Sequence, residues 1–247
     1  MNTRLMAHML PFYPDRSRSM RVAEALVEAG ADYLEVQFPF SDPSADGPTI
    51  QAASATSLAQ GFSVAEGWKF VEELTKRFTV PIFVMSYASP VFTHGVQAFV
   101  TAAAGAGAAG LIVPDLPIDA DEGLYGAAQR ADIAAVPVTA FGATQTRLRM
   151  IADLDVPYVY ASIRRGITGT STDLDRTTRD FITDVGSIAG EVFAGFGIQR
   201  HEQVETVCRL GAIAVVGSAL VRAIAGAEED PYAAVLTLCG KLTGSQV

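Results

Sequence analysis

Positive charge is scarce in this chain: 18 Lys and Arg stand against 27 Asp and Glu, a net charge of -9. Nucleic acid and anionic membrane surfaces select basic patches, so the balance argues against both. An anionic metabolite stays open, because backbone N–H groups at helix starts hold anions without Lys or Arg. Cysteine is nearly missing; Cys208 and Cys239 both sit in helical-looking segments, which argues against a disulfide framework and for a reducing cytoplasm. The histidines His8, His94 and His201 are far apart and none belongs to a ligand-spaced cluster, so no metal site is expected. No apolar run reaches the ~18 residues of a membrane span, and Met1–Pro11, with one arginine and a broken apolar run, is not a signal peptide. No Cys/His or Ser/His nucleophile pattern is present. Nor does any lysine stand near a candidate strand end to form a Schiff base, since Lys69, Lys76 and Lys241 all read as helical. Carbon–carbon chemistry on this chain would have to run by acid/base catalysis.

What is present is a regular alternation. Apolar runs at Leu5–Phe12, Tyr33–Phe38, Val80–Met85, Ala109–Val113, Ile133–Val138, Val156–Ala161, Val192–Ala194 and Ala212–Val216 read as strands, each followed by a helical pattern. Ser63 is a candidate N-cap for the helix running to Phe78. Eight such units at roughly 30-residue spacing predict a parallel sheet with right-handed crossovers, closed as a (β/α)8 barrel. No linker or low-complexity tract divides the chain, so residues 1–247 are expected to form one domain.

The second strand organises the rest. In YLEVQF, Leu34, Val36 and Phe38 share one face and Tyr33, Glu35 and Gln37 the other, so a carboxylate points into the barrel near its C-terminal mouth. Barrel chemistry sits at that mouth, and an inward, desolvated Glu is suited to acid/base work. Pairing with an arginine inside the barrel is the structural alternative for Glu35. Asp42 and Asp46 follow in a Pro/Gly turn, where Asp is common for local reasons. The sixth strand presents Tyr158, Tyr160 and Ser162 on one face, and the small polar loop after it, Ile163–Thr172, has a composition suited to a lid. Gly166 and Gly169 after the sixth strand, Gly195-Phe196-Gly197 after the seventh and Gly217-Ser218 after the eighth mark a phosphate site.

These residues carry a resemblance. PFSDPSADGPTIQ (Pro39–Gln51), with MSYASPVF, VPDLP, RRGITG, GFGI and VGSALV following in order, is similar to the tryptophan synthase α-subunit family along nearly the whole chain. The resemblance implies an α/β barrel that cleaves indole-3-glycerol phosphate to indole and glyceraldehyde 3-phosphate. It implies Glu35 as the general acid/base, Asp46 as the carboxylate that binds the indole N–H, and Tyr160 as an active-site tyrosine. Thr168 then matches a lid threonine, while Gly169, Gly197, Gly217 and Ser218 match phosphate contacts. Asp42, Pro43 and Pro117 match positions that touch a β subunit in an α2β2 assembly. Pyridoxal phosphate is expected only in that β partner, with no cofactor in this chain.

The chain also departs from the family pattern. The usual extra N-terminal helix is not seen before the first strand, which is expected to expose apolar surface at the barrel bottom or to leave it to another chain. Phe12-Tyr13-Pro14 replaces Gly-Asp-Pro, and Gln37 replaces a glycine where it is expected to crowd or hydrogen-bond the acid. Ser89 stands for an asparagine, Ile163 for a lid serine, and Ala140–Thr144 for a Pro/Thr-rich turn. These departures leave two further readings: a stand-alone or substrate-shifted phosphosugar lyase, and a degenerate subunit that only activates its β partner.

Overall fold

A computed structural model describes residues 3–163, 174–195, 197–227 and 230–245. The elements in chain order are β1 (Leu5–Met9), α1 (Arg16–Glu28), β2 (Tyr33–Gln37), α2 (Pro48–Ala59), α3 (Val64–Arg77), β3 (Ile82–Met85), α4 (Ala88–His94), α5 (Val96–Gly105) and β4 (Gly110–Ile112). A 3-10 turn at Ile118–Ala120 leads to α6 (Leu124–Arg130), β5 (Ala134–Val136), β6 (Val138–Ala140), α7 (Gln145–Ala152), β7 (Tyr158–Ser162) and α8 (Arg176–Gly186). The last are β8 (Glu191–Gly195), α9 (His201–Arg209), β9 (Ile213–Val216), α10 (Ser218–Gly226) and α11 (Pro231–Thr243).

All strand pairings are parallel, in the order β5-β4-β3-β2-β1-β9-β8-β7-β6. The two ends of that order are halves of one extended segment, so the sheet comes round to itself as a barrel. Eight strands were expected and nine are found among the described residues because Pro137 divides the fifth. It has no N–H to continue a ladder. Ala134–Val136 therefore pairs with β4 and Val138–Ala140 with β7, and the Pro137 carbonyl accepts the Tyr160 N–H at 2.9 Å.

The period-2 pattern of β2 holds. Leu34, Val36 and Phe38 pack in the layer between sheet and helices, and Tyr33 joins Met6, Phe83, Tyr160, Phe193 and Val215 inside the barrel. Ser63 caps α3 as expected, its hydroxyl accepting from the Glu66 N–H. Helix α4 was not anticipated in ASPVFTH; Pro90 falls in its first turn, where proline is tolerated, and Asp115 Oδ1 accepts from the first N–H, Ala88.

The barrel bottom is filled from within rather than left as open apolar surface. Tyr33, Phe83, Tyr158 and Phe193 form an aromatic layer there, with Tyr158 and Phe193 stacked at 5.2 Å. Over it the Arg4 guanidinium reaches Glu191 at 2.7 Å and also the Tyr33 hydroxyl, which donates to Glu191 at 2.9 Å. At the opposite end Phe12 has φ 62, a left-handed conformation that favours glycine and costs another residue about 1–2 kcal/mol. Its ring, 1% exposed against Phe62 and Phe70, offsets that cost.

Candidate active site

The parallel register sets the first contact of the site. β1 and β2 align His8 with Glu35 and both side chains point inward, which places His8 Nδ1 2.7 Å from Glu35 Oε2. Glu35 is 5% exposed and His8 3%. The partner of the inward Glu is thus a histidine from the neighbouring strand rather than an arginine. Among the described residues only Oε2 of Glu35 is engaged.

Asp46 reaches the same cavity from the loop after β2. It is 2% exposed, and two donors converge on its Oδ2: Gln37 Nε2 at 2.7 Å and the Tyr87 hydroxyl at 2.8 Å. Gln37, expected to crowd or bond Glu35, bonds the other carboxylate instead, because its side chain runs toward the loop beyond the strand end. The Asp46 carboxyl is held above the usual carboxylate range by burial; the bonds from Gln37 and Tyr87 and the nearby His8 oppose the rise without cancelling it. Burial and the charge of Asp46 push the Tyr87 phenol far up, so it remains a neutral donor. Tyr160 is likewise held protonated by burial, then by Glu35 and Asp46.

One cavity at the C-terminal ends of the strands is lined by Glu35, Asp46, Tyr160, Gly197, Gly217 and Ser218. Its walls between the carboxylates are apolar: Ile50, Met85, Ile112, Val138 and Val215. That composition suits a small-molecule ligand with an apolar ring. On one side Gly217 precedes α10 with no side-chain cap, leaving the first-turn N–H groups available to an anion. Gly197 turns beside it with φ 86, a conformation that glycine adopts freely. Gly195, the last residue of β8, gives Tyr160 its place: a Cβ there would lie 2.3 Å from the Tyr160 hydroxyl oxygen.

Six of the expected contacts therefore meet at one cavity. Thr168 and Gly169 lie outside the described residues, as does Gly166. Asp42, Pro43 and Pro117 lie away from the cavity; Asp42 and Pro117 are exposed and Pro43 is buried. Ile163 is buried in the layer between sheet and helices. His8 and Tyr87 were missed as site residues. Alternation in LMAHM puts Met6 and His8 on the inner face, which was the available signal for His8. Tyr87 lies just past the end of β3, beyond the reach of that rule.

Among the described residues no group of three or more His, Cys, Asp or Glu side chains is placed to hold a metal ion, and no helix is long and apolar enough to cross a membrane.

Comparison with known proteins adds a consistent set of likenesses. A family model described as tryptophan synthase alpha chain matches residues 2–243. The tryptophan synthase alpha chain of Helicobacter hepaticus is 38% identical over 227 residues, covering 89% of this chain and 85% of that one. That of Leifsonia xyli is 38% identical over 224 residues, covering 90% and 85%. Among solved structures, a chain from the tryptophan synthase α2β2 complex of Pyrococcus furiosus superposes with a TM-score of 0.89 at 29% identity, covering 99% of this chain and all of that one. A chain of Mycobacterium tuberculosis tryptophan synthase gives 0.87 at 30% identity, covering 98% and 92%.

Proposed function

The chain belongs to the tryptophan synthase alpha chain family, and from that premise we propose how its cavity cleaves indole-3-glycerol phosphate to indole and glyceraldehyde 3-phosphate. One observation carries the reading: each buried carboxylate is anchored through a single oxygen, Glu35 by His8 and Asp46 by Gln37 and Tyr87, leaving Oε1 and Oδ1 without a partner among the described residues. Glu35, as the acid, protonates the indole carbon that carries the glycerol chain. The ring becomes an indoleninium-like cation and hence a leaving group. Asp46 accepts the indole N–H and stabilises that cation through fixed charge in a desolvated site. Loss of the proton from the adjacent glycerol hydroxyl then forms the aldehyde as the carbon–carbon bond breaks. The electrons return to the ring as neutral indole.

The apolar wall takes the ring, with Tyr160 beside it. The phosphate is held by the N–H groups of Gly217 and Ser218 and by Gly197; Gly169 and Thr168, outside the described residues, match a further phosphate contact and a lid threonine by resemblance to the family. Residues 1–247 act as one barrel domain that carries no cofactor and works in the cytoplasm. Its partner is a tryptophan synthase β subunit, which holds the pyridoxal phosphate and receives indole in an α2β2 assembly. Asp42, Pro43 and Pro117 belong to that contact. The intact carboxylate pair, with donors arranged around it, gives no support to a degenerate subunit.

The test is indole release from indole-3-glycerol phosphate, with and without a β subunit. Glu35→Gln should lower kcat about 10²–10⁴-fold, the usual worth of a general acid/base. Addition of the β subunit should stimulate the unmutated chain. Folded protein that releases no indole under either condition would overturn the reading.

A further inference from the structure

Resting on the assignment of Glu35 as the acid, we propose that His8 is a further catalytic residue: its Nε2 accepts the glycerol hydroxyl proton and its Nδ1 returns a proton to Glu35. Three observations converge on it. His8 is 3% exposed, yet Nε2 has no hydrogen-bond partner among the described residues, an arrangement that buried polar atoms avoid unless a ligand supplies the missing group. Nδ1 lies 2.7 Å from Glu35 Oε2. The other side of the ring packs against the anion site, since a Cβ built on Gly217 would lie 3.4–3.6 Å from His8 Cγ, Cβ and Cδ2. His8 therefore stands between the group that protonates the ring carbon and the N–H groups that take the phosphate. The glycerol chain, with the hydroxyl that must be deprotonated, spans the same interval.

The tautomer follows from the partners. An orphaned buried N–H is rarer than an under-used acceptor. The resting imidazole therefore carries its proton on Nδ1, donated to Glu35 Oε2, and Nε2 is a bare acceptor awaiting a donor. In the productive complex Glu35 carries a proton on Oε1 and delivers it to the indole carbon. The hydroxyl proton then passes to Nε2, its O–H electrons form the carbonyl, and the C–C bonding pair goes to the ring. Nδ1–H moves to Glu35, restoring the acid and leaving the neutral ring with its one proton on Nε2; as products leave, Nε2 gives that proton to solvent and Nδ1 takes one back, which restores the starting tautomer. The net change leaves both residues as they began. Glu35, Asp46, Tyr160 and Tyr87 are the titratable groups grouped around this path, from β2, its following loop, β7 and the segment after β3.

The test compares His8→Phe, which keeps a ring without nitrogen, with His8→Asn, which keeps a donor toward Glu35 but nothing at Nε2. Glu35→Gln is run in parallel, each in complex with a β subunit. Both His8 variants should lose about 10²–10³ in kcat with a much smaller change in KM. Wild-type kcat in His8→Asn, with Glu35→Gln inactive, would overturn the relay and leave His8 a positioning residue. Turnover surviving in Glu35→Gln would instead overturn the underlying acid assignment. A third measurement needs no variant: ¹⁵N NMR of the labelled histidines should show the neutral His8 ring with its proton on Nδ1 and none on Nε2. A protonated Nε2 with bare Nδ1 would refute the proposal.

Discussion

Tyr87→Phe removes one oxygen and leaves a ring that is 1% exposed in its place. The lost hydroxyl donates to Asp46 Oδ2 at 2.8 Å and accepts the Ala45 N–H at 3.2 Å. Burial already holds the Asp46 carboxyl above its ordinary value, and the bonds from Gln37 and Tyr87 restrain the rise. Deleting one donor pushes it further up, so the carboxylate needed to stabilise the cation forms only at higher pH. A hydrogen bond to a charged group contributes about 1.5–3 kcal/mol. At about 1.4 kcal/mol per decade, its loss lowers turnover roughly ten- to a hundredfold where Asp46 is only partly ionised. Stability carries the same sign. An Asp whose folded-state value is raised contributes stability that is complete below the unfolded value of about 3.9 and is lost as pH rises through the folded value. Raising that value further enlarges the loss, so Tyr87→Phe should lower Tm by roughly 3–12 °C near neutral pH and by less near pH ~4, at about 2–4 °C per kcal/mol. Indole release across pH and thermal melts at both pH values are the assays. An activity profile that superposes on the unmutated one, or a Tm difference that does not depend on pH, would refute the role given to the clamp.

Two other substitution and labelling outcomes follow from the packing. Gly195→Ala places a Cβ 2.3 Å from the Tyr160 hydroxyl oxygen and should cost about 1–3 kcal/mol, part of it restored when Tyr160→Phe is added and the melts are compared. Cys239 is fully buried, its thiol pushed up to about 12 by burial, whereas Cys208 is partly exposed. Iodoacetamide at about pH 8 should therefore modify Cys208 well before Cys239 in native protein, as mass spectrometry would show; equal rates would contradict the packing.

What could be read from the chain and what could not divides along the range of the interaction. The inward face of β2 was legible because a strand has period two: once Leu34, Val36 and Phe38 meet the helices, Glu35 has nowhere to point but into the barrel. The helix starts were legible for the same kind of reason, as at Ser63, whose hydroxyl takes an N–H only three residues on. Pro137 was read as ordinary strand because proline removes a ladder donor without changing apolarity, and what it does depends on which strands flank it. His8 shows the harder limit. Its alternation was as plain as that of Glu35, but its use depends on a partner 27 residues away, brought level by the β1–β2 register. Tyr87 reaches 41 residues back to Asp46 across two strand ends. A register shift of one residue would turn His8 to the opposite face and dissolve its contact with Glu35. Both carboxylates could thus be named from local pattern. Their anchoring groups come from elements that meet only when the barrel closes, and it is the anchoring that decides which oxygen of each carboxylate is left for the substrate.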